Sequence, residues 1–181
     1  MKRLLISAAG AVLSIALIAP PVFAQQTCNT GVGGSTCVTT VSVAMTTGAV
    51  VDLTQSSATT SLGAPTAADF NAGYKASSGP SFAIKANSDW TLQVRAGSST
   101  WAATNTSPGV SARSNKPASD LQWSTSADGV FAGLTLAGVT IASGSATAAA
   151  SAGIFYRTQY AWLLDTPGSY SLDVIVTLSA P

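Results

Sequence analysis

The strongest constraint on this chain is a side-chain alternation near its C-terminal end. Tyr170, Leu172, Val174, Val176 and Leu178 stand two apart, and Ser171, Asp173, Thr177 and Ser179 fill positions between them. A period of two puts each set on one face of an extended strand, so the pattern predicts a long strand over residues 169–179, with Ile175 the exception. A helix would scatter the same residues around its circumference. Just before it, residues 154–164 are aromatic and β-branched, and Asp165-Thr166-Pro167-Gly168 supplies turn residues between the two runs.

Similar signals recur upstream. Val41, Val43 and Met45 alternate with Ser42, Ala44 and Thr46, predicting a half-buried first strand that continues through residues 49–53 after Gly48. Residues 59–79 read as loop. Phe82 and Ile84, then Trp90, Leu92 and Val94, alternate on either side of Asn87-Ser88, which predicts a hairpin. Residues 97–117 read as a long loop carrying Trp101, and Leu121 and Trp123 mark a short strand. Residues 130–136 and 139–142 flank Ala137-Gly138 as a second hairpin, and the low-complexity residues 143–153 read as loop. No long stripe of helical period interrupts this series. The predicted architecture is all-β, a two-sheet immunoglobulin-like (Greek-key) sandwich. Within it Trp90, Trp123 and Trp162 are expected as core aromatics on strands, and Trp101, in a loop, either packs against the sandwich like the other three or stands exposed.

The first residues have a different character. Lys2 and Arg3 precede an apolar stretch from Leu4 to Ile18, Pro20 and Pro21 break it, and Val22-Phe23-Ala24 offers small or apolar residues for cleavage after Ala24. Residues 1-24 therefore read as a signal peptide, too short for a membrane span, and residues 25-181 as a single β-sandwich domain. No later segment is long and apolar enough to span a bilayer as a helix, so the product is expected to be secreted: extracellular, periplasmic or on the cell surface. In that oxidising setting Cys28 and Cys37, with eight residues including Gly31, Gly33 and Gly34 between them, are expected to form a disulfide closing segment 25-38.

Charge and composition exclude several functions. Beyond residue 24, six basic residues face seven aspartates, and no basic stripe exists to neutralise a phosphate backbone, so nucleic acid is not an expected partner. The chain has no histidine and no glutamate. Histidine triads, Cys-His dyads and histidine-bearing zinc sites are therefore impossible. The aspartates are scattered beside turn residues and show no calcium-loop spacing, and the glycines near residue 31 lack the lysine and helix of a phosphate loop. No catalytic residue, metal site or cofactor is expected.

Lys85-Ala86-Asn87-Ser88-Asp89-Trp90-Thr91-Leu92, and Tyr156-Arg157 through Asp165-Thr166-Pro167-Gly168-Ser169-Tyr170, resemble segments of exported bacterial immunoglobulin-like β-sandwich proteins. The closing Gly168-Ser169-Tyr170 turn and alternating strand are similar to those of the spore coat protein U and secreted pilin-like families. Trp90-Thr91-Leu92 and Trp162-Leu163-Leu164 resemble the Trp-x-Leu triplets of the WxL domain, a likeness that implies attachment to peptidoglycan.

The leading expectation is a structural or surface-interaction protein, a subunit of an extracellular fibre, pilus or coat, that pairs through an edge strand with itself or with related subunits. The alternative is a carbohydrate- or cell-wall-binding module in which Trp101 and then Tyr74 stack on sugar faces. An enzyme comes third and would need two aspartates brought together by the fold.

Overall fold

A computed structural model describes residues 42–181. The signal peptide, Cys28, Cys37 and their expected disulfide lie outside the described residues. The chain divides into two units, Met1–Thr46 and Thr47–Pro181, and every described helix and strand belongs to the second.

That second unit is an all-β sandwich, its elements following the alternation of apolar side chains. In chain order they are β1 (Val51–Gln55), α1 (Ala67–Ala72), β2 (Tyr74–Ala86), β3 (Trp90–Ala96), β4 (Ala102–Thr104), a 3-10 turn (Ala118–Asp120), β5 (Leu121–Ser124), β6 (Ala132–Gly133), β7 (Val139–Gly144), β8 (Thr147–Gln159), β9 (Ser169–Ser171) and β10 (Val174–Ser179). One sheet runs β1-β2-β8-β5-β6 and the other β10-β3-β7, with β4 and β9 as a separate pair. Every pairing is antiparallel. Phe82 and Ile84 from β2, Leu92 and Val94 from β3, and Ile154 and Tyr156 from β8 are buried in one apolar core. Removing such side chains from water is what holds the sheets face to face, at about 1.5–3 kcal/mol for each large one.

Two predicted hairpins and one predicted strand become corners instead. Asn87-Ser88 is a turn, but it carries the chain from β2 in one sheet to β3 in the other. The segment 137–138 likewise separates β6 from β7 across the two sheets. The strand expected over residues 169–179 splits into β9 and β10, and between them the Asp173 carbonyl accepts from the Gly97 N–H at 2.8 Å. A run with one apolar face fits a hairpin and a sandwich corner equally well, because both bury that face. The alternation itself is preserved: Tyr170, Leu172, Val174, Val176 and Leu178 all pack against the core.

Two segments expected to be loop are ordered. Thr66 caps α1 by accepting from the Asp69 N–H, the Asp69 carboxylate accepts from the Thr66 N–H, and Gly73 ends the helix at φ 78°. Residues 147–153 lack bulky side chains yet form the first half of β8, because β2 offers them a backbone partner, with Ala150 opposite Ile84 and Ala152 opposite Phe82. Conversely, the strand expected over residues 41–46 is not formed among the described residues 42–50. Val43 and Met45 are 90% and 86% exposed, and no neighbouring strand is described for this segment.

A bulge in β2 sets the shape of the sheet. Gly79 and Pro80 are the extra residues between the pairs Ser78–Phe155 and Ser81–Gly153. A Cβ on Gly79 would sit 2.6 Å from the Tyr156 ring and 2.7 Å from the Ile154 carbonyl oxygen, and a carbonyl cannot move aside as a flexible side chain can. Gly79→Ala should therefore destabilise by about 1–3 kcal/mol, read as a lower denaturant midpoint.

Candidate functional site

On one side the sandwich stays open. In the order β10-β3-β7, β10 pairs among the described residues with β3 alone, on one of its two backbone edges. Beside the other edge lies a groove of about 1180 Å³, lined by Phe82, Leu121 and Tyr156 from the larger sheet, by Leu172 and Val174 to Val176, and by Leu62 and Pro65 of segment 57–65. Val174, Ile175 and Val176 are consecutive, and alternation alone would send only every second one to the core. The groove thus meets β10 along its edge as well as its inward face. An apolar floor beside unpaired strand N–H and C=O groups is the arrangement that accepts an added strand.

One end of the groove is built from charge. The Lys116 ammonium donates to Asp165 Oδ1 at 2.8 Å, to Asp120 Oδ2 at 3.1 Å and to the Gln159 carbonyl at 2.8 Å. Arg113 Nη1 reaches the same two carboxylate oxygens at 3.1 and 3.3 Å. The side chains of Lys116 and Asp165 are 3% and 5% exposed. Burial alone would raise the Asp165 carboxyl, but the hydrogen bond from Lys116, the N–H of Ala161, the Lys116 charge and the hydrogen bond from Arg113 together hold it below the usual aspartate value. The other Asp165 oxygen accepts the Ala161 N–H at 2.8 Å, which pins the turn carrying Trp162, Leu163 and Leu164. From the sequence these aspartates read as turn residues. Their convergence was hidden because 45 positions separate Asp120 from Asp165 in the chain. As chemistry the pair is quiet: acid–base work needs two carboxyls of divergent proton affinity, whereas both of these are occupied by cations and Asp165 is held ionised.

The tryptophans divide differently from the expectation. Trp90 is buried, its Nε1 donating to the Ser145 carbonyl at 2.9 Å, and Trp123 is buried on β5. Trp101, which the carbohydrate-binding alternative needs exposed, is 5% exposed and donates from Nε1 to the Pro117 carbonyl, so it has no free ring face. Its loop is folded over the end of the sandwich, with the Trp101 N–H on the Lys116 carbonyl. Trp162, expected in the core, is 60% exposed because β8 ends at Gln159 and the indole lies on the turn beyond it. It stacks on Phe70 at 4.7 Å between ring centres and donates to Asn71 Oδ1. Leu163 and Leu164 beside it are 95% and 56% exposed. Tyr74, the other stacking candidate, is 40% exposed on the outer face of the larger sheet.

Among the described residues no cluster of three metal-ligating side chains occurs, and no helix is long and apolar enough to cross a membrane. No protein-family model matches the chain, and no curated protein matches it.

Proposed function

We propose that this protein is an exported structural subunit that joins copies of itself by strand addition, segment 41–46 of one copy entering the groove beside β10 of the next. One observation carries the reading: an edge strand borders an open apolar groove while Val43 and Met45 of the same chain stand almost fully exposed. The dimensions agree. Six extended residues span about 20 Å, and β10 is six residues long. Val41, Val43 and Met45 would face the groove while Ser42, Ala44 and Thr46 face outward.

Export through residues 1-24 and a place outside the cytoplasm belong to the same reading, as does the immunoglobulin-like form of the sandwich. The resemblance of the Gly168-Ser169-Tyr170 turn to secreted pilin-like subunits points the same way. So does the exposed Trp162-Leu163-Leu164 turn, since apolar patches on monomers commonly mark contact surfaces. A role without catalysis follows from the missing histidine and from carboxylates already neutralised by Lys116 and Arg113. Light scattering across a concentration series tests the proposal. Mass should rise with concentration, and a strictly monomeric protein at millimolar concentration would remove it.

A further inference from the structure

On the outer face of the larger sheet, Arg157 has no counter-charge among the described residues. Arg157 stands in the middle of β8, opposite Ala76 of β2 and Gln122 of β5. Its guanidinium carbon lies 4.2 Å from the ring centre of Tyr74 and 4.2 Å from that of Phe131, so the planar group sits between two aromatic rings. None of the ion pairs among the described residues includes Arg157, and its Nε is buried without a hydrogen-bond partner.

Lys75 and Arg95 also have no ion pair among the described residues, but neither lies over an aromatic ring. Lys116 and Arg113 are saturated by aspartates, and the exposed Lys85 lies near Asp52. Two rings cover the faces of the Arg157 guanidinium and fix its plane, which leaves recognition to its edge, the geometry that binds a carboxylate through two parallel hydrogen bonds. Gln122 and Gln159 project on the same side of the sheet by strand alternation, and the partly exposed Tyr74 ring adjoins the cation. A fixed cation beside an aromatic surface and side-chain amides suits a sugar ring that carries an acid group: carboxylate on Arg157, ring on Tyr74, hydroxyls on the glutamines.

We infer that Arg157, Tyr74 and Phe131 form a binding site for an acidic saccharide of the uronic-acid class, independent of the assembly groove. Affinity electrophoresis at low ionic strength tests this with polygalacturonate as the probe, neutral dextran as one control and polyglutamate as the other. The unaltered protein should be retarded by polygalacturonate and by neither control. Arg157→Gln and Tyr74→Ala should each weaken retardation at least tenfold with the melting temperature little changed. Arg157→Lys, which keeps the charge but not the planar fork, should weaken it as well, and it carries the test if Arg157→Gln does not fold. Absence of retardation, equal retardation by polyglutamate, or retardation that survives both Arg157 substitutions would overturn the inference.

Discussion

Replacing Val43 and Met45 together with aspartate will keep the protein monomeric at concentrations where the unaltered chain associates. Both side chains are nearly fully exposed in the single chain, so the substitutions remove no core contact and should leave the melting temperature where it was. In the assembled state each would lie against the partly buried apolar side chains of the groove, Leu62, Leu172 and Val174 among them. Burying a valine or methionine contributes about 1.5–3 kcal/mol, so losing both weakens association by about two to four orders of magnitude, before counting the cost of bringing a carboxylate into the groove. Light scattering on the variant checks the loss, and unchanged oligomers with unchanged stability would show that segment 41–46 is not the inserted strand.

Lys116→Met will destabilise the fold by about 3–5 kcal/mol, the cost typical of removing one partner from a buried ion pair. Lys116 binds two carboxylates and a carbonyl from a nearly inaccessible position, and without it Asp120 and Asp165 share Arg113 alone. Methionine keeps the volume, so the loss reports charge more than packing. The same cluster sets an acid limit. The folded state holds the Asp165 carboxyl below its ordinary value, so its contribution is complete above about pH 4 and fades as pH falls through the lower, folded-state value. Chemical denaturation at neutral and acidic pH checks both parts: the variant should start less stable and lose less on acidification.

The strand-rich character of the chain was legible because its core positions are spaced by two. Phe82 and Ile84, Trp90 to Val94, and Tyr170 to Leu178 are all marked by alternation, and all pack as expected. What alternation cannot encode is the identity of the neighbouring strand. Asn87-Ser88 therefore reads as a hairpin turn when it is the corner between two sheets. The first half of β8 was invisible for the opposite reason: alanine, serine and glycine give no contrast between faces, and its order comes from β2. Helix α1 did leave a trace, a threonine three residues before an aspartate and a glycine at its end, but six residues give no periodicity to support it.

The candidate sites were less legible than the fold. Tyr74 is exposed as its stacking role requires, whereas Trp101 is buried and Trp162, expected in the core, is exposed, because indole burial depends on where a strand ends and how a loop folds back. The ionic cluster and the Arg157 stack each unite residues far apart in the chain, whose proximity only the sheet pairing creates.

Amide hydrogen exchange on the protein at low and high concentration probes strand addition at both of its partners at once. Segment 41–46 and β10 (Val174–Ser179) should gain protection together as concentration rises, while the inner strands β3 and β8 stay equally protected throughout. Exchange at these two segments that is as fast in concentrated as in dilute solution would contradict the account.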